Sequence, residues 1–360
     1  MMVTRSADAP PAATGTIRVL VVDDSAFMRF TISKHLNDAA GIQVVASAHD
    51  GEEALGLIQR FQPDVVTLDV EMPRMDGLTT LRQIMASAPR PVVMLSSLTG
   101  EGARETVQAL TLGAVDFVTK PASRANVAGV MEEVIAKVRA AARVKVGRLS
   151  RPMTLATEPA PPQTVKTTRE LRNTDRVVFI GSSTGGPRAL QTVMQGLAGN
   201  LNAAVVIVQH MPVGFTRSLA ERLDGISGFH VREARPGDAL EAGLALLAPG
   251  GFHLQFDANV RATLNQNPPV QGVRPAIDVT LTSLVPHYRG RLVTAILTGM
   301  GHDGTQGATL VHQAGGHVIA EDESTCVVWG MPRSVAEAGV ADEIAPLPEV
   351  ARAIERAVRR

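Results

Sequence analysis

Between residues 17 and 140 the chain alternates short apolar runs with amphipathic stretches. The runs IRVLVV, IQVVASA, DVVTLD, PVVMLS and AVDFVT are rich in β-branched residues, and each is followed by a segment with helical spacing. Near-continuous apolar strands are covered on both faces, so five such βα units predict a parallel sheet wrapped by helices. The pattern restarts at residue 176, where RVVFIG, AAVVIVQH, LVTAILTG and GHVIAE are the clearest strands and glycine-rich turns follow three of them. In between, residues 141–175 hold Pro152, Pro159, Pro161 and Pro162 among Thr, Ala, Lys and Arg, with no sustained apolar period. That composition suits a flexible linker. The expected organisation is a disordered tail over 1–16, an α/β domain over 17–140, a linker over 141–175 and a second α/β domain over 176–360.

A chain of 360 residues with 45% apolar content can bury a core in each domain. The opening MMVTRSADAPPAATG lacks the apolar stretch of a signal peptide, and no run reaches the ~18 uncharged apolar residues of a spanning helix. A cytoplasmic location without membrane insertion is expected. The single cysteine, Cys326, excludes an internal disulfide and a cysteine-cluster metal site, and its neighbours Val327 and Val328 suit a buried thiol. Lys+Arg against Asp+Glu is 13 and 16 over 1–140, 7 and 3 over 141–175, and 15 and 16 over 176–360. Neither domain carries the net positive field of a nucleic-acid binder, so no nucleic-acid partner is expected.

Candidate chemistry sits at strand ends. Asp23 and Asp24 close the first run, Asp69 the third, Ser96 the fourth, and Lys120 follows the fifth in FVTKP. Ligands bind at the carboxyl edge of an open parallel sheet, so these five residues converge on one pocket. The first turn reads DDSAF, acidic where a dinucleotide site needs glycine. Three carboxylates repel one another unless a cation joins them, and Mg²⁺ is the expected cofactor. Phosphoryl transfer to a carboxylate needs this set, with lysine and metal neutralising charge and a hydroxyl touching the phosphoryl oxygens. For any one of these aspartates alone, a solvated turn is the competing reading.

In the second domain, Gly181-Ser182-Ser183-Thr184-Gly185 fits G-x-S-x-G with Ser183 at its centre, between a strand and a helix. His210 ends the next strand, so its imidazole should emerge beside Ser183 as a base. Asp303 in TAILTGMGHDG is the candidate acid, with a helix N-cap as its plainer alternative. His302 lies next to Asp303 and is a competing partner for it. The chain order Ser183, His210, Asp303 differs from an α/β-hydrolase, which would need an acid such as Asp278 followed by His302 or His312.

VLVVDDSAFMR, LDVEMPRMDGL and GAVDFVTKP closely resemble the receiver domains of two-component response regulators. That resemblance implies a flavodoxin-like fold, Asp69 as phospho-acceptor, Asp23 and Asp24 holding Mg²⁺, and Ser96, Phe117 and Lys120 reporting phosphorylation by a histidine kinase. IGSSTGGP, VVIVQHMPVGFTRSLAERL, APGG, RPAIDV, LTGMGHDG and CVVWGMPRSV resemble, in order, the catalytic domain of chemotaxis protein-glutamate methylesterases. The fold class implied is α/β with two doubly wound parallel sheets, the second Rossmann-like. The same resemblance implies Ser183 as nucleophile, His210 as base, Asp303 as acid, and Thr184 with the Met300 backbone at the oxyanion site. It also implies no cofactor in this domain, methyl-accepting chemoreceptors as substrate, deamidation of their glutamines as a second activity, and restraint of the esterase by the unphosphorylated receiver. A small-ester α/β-hydrolase and a non-catalytic adaptor are the alternatives.

Overall fold

The computed structural model describes residues 15–97, 99–121, 126–144, 147 and 166–360. The first domain runs β1 (Ile17–Val22), α1 (Ala26–Asp38), β2 (Ile42–Ala48), α2 (Gly51–Phe61), β3 (Val65–Asp69), α3 (Gly77–Ser87), β4 (Val92–Ser96), α4 (Gly100–Leu112), β5 (Asp116–Thr119) and α5 (Val127–Ala141). Its strands lie in the order β2-β1-β3-β4-β5, every pair parallel. The apolar runs β3 and β4 are buried at every position because helices cover both faces. Asp50, Asp76 and Thr99 accept hydrogen bonds from Glu53, Thr79 and Gly102 N–H, starting α2, α3 and α4. Such caps contribute about 1 kcal/mol each.

The second domain runs β6 (Arg169–Glu170), β7 (Arg176–Ser182), α6 (Gly186–Gly196), β8 (Ala203–Gln209), α7 (Phe215–Ile226), β9 (His230–Glu233), β10 (Glu241–Ala242), β11 (Leu244–Leu247), β12 (His253–Phe256) and β13 (Ala262–Asn265). It continues with α8 (Ile277–Tyr288), β14 (Leu292–Ile296), α9 (Thr305–Gln313), β15 (His317–Glu321), α10 (Met331–Glu337), β16 (Glu343–Ala345) and α11 (Leu347–Arg359). Seven parallel strands form the order β16-β15-β14-β7-β8-β11-β9. The direction of winding reverses beside β7, which opens a crevice at the carboxyl ends of β14, β7 and β8. The antiparallel hairpin β12–β13 packs against α8. VARAIERAVRR belongs to α11, which buries Val350, Ile354 and Ala357 on α6 and leaves its arginines outside.

The expected linker differs at its end. Residues 166–175 are built onto the second domain: β6 pairs antiparallel with β10, Lys166 Nζ donates to Asp224, and Arg169 is paired with Asp175 at 2.5 Å. Short-range ion pairs and a two-residue strand hold this segment, and neither leaves an apolar period to read. The expected tail over residues 1–14, and most of the linker before 166, lie outside the described residues.

The two domains meet face to face. α4 packs on α6 and α7, and one apolar cluster continues from Val107, Leu110 and Phe117 into Phe215 and Leu219. The Phe117 and Phe215 rings lie 4.5 Å apart at an interplanar angle of 41°.

Candidate active site

Ser183 directly follows β7, His210 directly follows β8, and Asp303 lies on the loop from β14 to α9. These three strands are adjacent in the sheet, so residues 27 and 93 positions apart in the chain reach one edge. His210 Nε2 lies 2.8 Å from Asp303 Oδ2. Asp303 Oδ2 also accepts from Ile277 N–H at 2.7 Å, and its Oδ1 accepts from Asp278 N–H at 3.0 Å. Both donors are the opening N–H groups of α8, where the helix dipole favours negative charge. Burial pushes the Asp303 carboxyl upward, but His210 and these N–H groups outweigh it and hold the group below the usual carboxylate range.

The serines have separate roles in the packing. Ser182 is fully buried, and its hydroxyl donates to Gln209 Oε1 at 2.6 Å. Gln209 Nε2 in turn donates to the carbonyls of Ser183 and His210, at 2.9 and 3.0 Å. One buried carboxamide therefore ties together the backbones that carry Ser183 and His210. Gly186 makes room for it, since a Cβ there would lie 2.0 Å from Gln209 Oε1. Ser183 is half-buried, and its Oγ makes no hydrogen bond among the described residues.

Thr184, the residue after Ser183, sends its hydroxyl to Asp116 Oδ2 of the first domain. Asp116 is also held by Lys137 Nζ at 3.1 Å and by Phe117 N–H at 2.8 Å. Met300 is 54% exposed and borders an interdomain cleft lined also by His302, Trp329 and Arg333, and from the first domain by Arg139 of α5 and Arg143 just past its end. His302 is exposed, and Asp303 takes His210 in its place. Asp278 bonds to Gly307 N–H at 2.7 Å and His312 approaches Asp342, so the alternative Asp278-His pairing does not form. Cys326 is fully buried.

In the first domain, carboxylate oxygens of Asp23, Asp24 and Asp69 lie within 4.8 Å of one another. Lys120 Nζ lies 2.6 Å from Asp69 Oδ2 and 2.9 Å from Asp23 Oδ2. The second contact is an ion pair off the hydrogen-bond direction, for Asp23 Oδ2 is buried without a hydrogen-bond partner. Burial pushes Asp69 up to about 6 despite Lys120, with Asp23 adding to the rise. The Ser96 hydroxyl turns away from this cluster: it accepts from Thr106 Oγ1 of α4 at 2.7 Å and faces the Gly102 carbonyl at 3.3 Å.

Sequence reasoning missed Gln209 and Asp116. A polar residue closing the apolar run AAVVIVQ was a usable signal for the first. Nothing local in GAVDFVT marks the second, because its partner lies 68 positions away in another domain.

The CheB methylesterase family matches residues 178–354, and the response regulator receiver domain family matches residues 19–132. A protein-glutamate methylesterase/protein-glutamine glutaminase of Symbiobacterium thermophilum is 52% identical over 355 residues, covering 95% of this chain and 97% of its own. A protein of the same name from Archaeoglobus fulgidus is 46% identical over 346 residues, covering 94% and 97%. A Pseudomonas aeruginosa relative is 45% identical over 352 residues, covering 96% and 98%. With such identity along nearly its whole length, the chain belongs to the protein-glutamate methylesterase/protein-glutamine glutaminase family, a receiver domain followed by a CheB methylesterase domain.

Proposed function

We propose that this chain hydrolyses glutamate methyl esters and deamidates glutamines on methyl-accepting chemoreceptors, using Ser183, His210 and Asp303, under the control of phosphorylation at Asp69. The observation that carries this reading is the 2.8 Å pair of His210 and Asp303, which follow β8 and β14, the strands flanking β7 that leads into Ser183.

Because Asp303 holds Nε2, Nδ1 of His210 is the nitrogen left to take the proton of Ser183 as its hydroxyl attacks the ester carbonyl. Asp303 orients the ring and stabilises the imidazolium that forms. The N–H groups of Thr184 and Met300 serve the developing oxyanion, with the start of α6 adding its dipole. The imidazolium then protonates the leaving group, methanol from the ester or ammonia from glutamine. Both routes leave the same glutamyl ester on Ser183. Water attacks it, giving its proton to His210, and glutamate departs as the ring returns that proton to Ser183.

In the receiver, Asp23, Asp24 and Asp69 fit a Mg²⁺ ion, since their carboxylate oxygens lie within 4.8 Å of one another, Asp23 Oδ2 is buried with no hydrogen bond, and Asp23 and Asp69 share one lysine. Bound there, Mg²⁺ supplies positive charge that favours phosphoryl transfer from a histidine kinase to Asp69. Two lines lead from Asp69 to the domain interface. One runs through Lys120 and β5 to Phe117 and Asp116; the other runs through Ser96 and Thr106 to α4, which packs on α6 and α7. Drawing Lys120 and Ser96 to a phosphoryl group loosens both. The receiver then leaves the serine turn, and Thr184 is released from Asp116.

The test is full-length protein with tritiated-methyl receptor membranes, counting volatile methanol with and without a phosphodonor. Release that rises with phosphodonor and vanishes in Ser183→Ala supports the reading. Release that survives Ser183→Ala overturns it.

A further inference from the structure

Asp278 is a second buried carboxylate beside Asp303, unused by the chemistry above. It is the second residue of α8, and its Oδ1 accepts from Gly307 N–H, in the first turn of α9, at 2.7 Å. Asp303, which precedes α9, accepts in the other direction from the first two N–H groups of α8. Each helix start is thus closed by a carboxylate belonging to the other. The helices can approach this closely because position 307 is glycine; a Cβ there would lie 2.6 Å from the Leu281 side chain. Asp303 is the ionisable group that faces Asp278; the amide of Gln271, 3.4 Å from Oδ2, and the N–H groups of Gly304 and Gly307 are its other polar neighbours.

We propose that Asp278 is a positioning residue for hydrolysis: its carboxylate locks the start of α9 to α8, and thereby keeps both oxygens of Asp303 directed at α8 and His210. This rests on the Ser183-His210-Asp303 reading. Without the Gly307 bond, the start of α9 beside Asp303 loses its side-chain tie to α8, and the His210 ring loses a firmly fixed partner. Displacement of a catalytic group by about 1 Å can cost up to 100-fold in rate. Burial, with Asp303 facing it, raises Asp278 to about 6, so near neutral pH it is mostly the carboxylate that accepts from Gly307 N–H.

The experiment measures methanol release by the full chain with phosphodonor, across pH, for Asp278→Ala and Asp278→Asn. Thermal unfolding and phosphorylation of the receiver verify the fold. Asp278→Ala should lower kcat by at least about 10-fold with KM nearly unchanged. Asp278→Asn keeps an oxygen that accepts from Gly307 N–H, so it should recover most of that kcat. An Asp278→Ala protein with the original kcat overturns the proposal, as does an Asn variant that recovers nothing. Activity surviving in Ser183→Ala, measured alongside, would instead remove the triad reading beneath it.

Discussion

At the carboxyl edge of the receiver sheet, Asp69 is buried among like charges, has Lys120 as its main donor, and is pushed up to about 6. At the same edge of the catalytic sheet, Asp303 is as deeply buried, yet it sits below the usual carboxylate range. The difference lies in the donors. Asp303 receives two helix N–H groups and an imidazole, whereas the receiver cluster leaves Asp23 Oδ2 with no hydrogen bond at all. A carboxylate satisfied by its own fold gives a preorganised site whose chemistry is set in advance. One left short of positive charge changes its surroundings when a cation or a phosphoryl group arrives, as a switch requires.

The most severe way to break this comparison is to empty the preorganised edge. Ser183→Ala should lower both methanol and ammonia release by about four orders of magnitude or more, measured on methylated and glutamine-bearing receptors. Loss of one activity alone would separate their sites.

The next effect joins the two edges. Asp116→Ala removes the carboxylate that accepts from Thr184 and leaves Lys137 with Glu133, 2.8 Å away. A hydrogen bond to a charged group contributes about 1.5–3 kcal/mol, so the closed-to-open ratio should fall by about 10-fold or more. Methanol release without phosphodonor should rise, and the stimulation by phosphodonor should shrink. An unchanged basal rate would mean that this contact does not hold the domains closed.

A smaller effect tests the charge shortage of the receiver. Asp69 has its folded pKa above its unfolded one, so from about pH 4 to about 6 the unfolded chain gives up a proton that the folded chain keeps. Stability contributed by this group therefore falls as pH rises through that window and stays lower above it, by at most about 3 kcal/mol. Asp69→Asn should raise the melting temperature of the receiver near neutral pH and scarcely change it at about pH 4, as read by calorimetry without Mg²⁺. The same variant should keep the low esterase rate in the presence of phosphodonor.

The mildest substitution is Ser182→Ala. It leaves Gln209 Oε1 without its donor, which costs about 1–3 kcal/mol of stability. The esterase rate should change by less than about 5-fold, since Gln209 retains its bonds to the Ser183 and His210 carbonyls. A loss comparable to that of Ser183→Ala would reverse the assignment of the two serines.

Much of this was legible because strand ends are legible. Apolar runs locate the carboxyl edge, so Asp23, Asp69, Ser183, His210 and Asp303 could each be placed there from the chain alone. The orientation of side chains at that edge was not. Ser96 points to α4 and not to Asp69, because Thr106, one helical turn beyond Gly102, supplies a buried hydroxyl that adjacency in the sequence does not reveal. Residues 166–175 read as linker since charged pairs, with no apolar spacing, attach them to the catalytic domain. Asp278 read as an alternative acid, and its partner Gly307 became visible only once α8 and α9 were packed together.

The bond from Thr184 to Asp116 also bears on how far the two domains can be treated as interchangeable parts. Thr184 belongs to the turn that presents Ser183, so the surface that meets the receiver and the proposed hydrolytic site share a residue. On the proposed reading, a receiver grafted from another regulator, with its own phosphorylation pocket intact but no carboxylate at position 116 and no aromatic at 117, would still accept phosphate while restraining the esterase less. Phosphorylation and restraint are thus separable on one small domain, and β5 and α4 together form the surface that meets this catalytic domain.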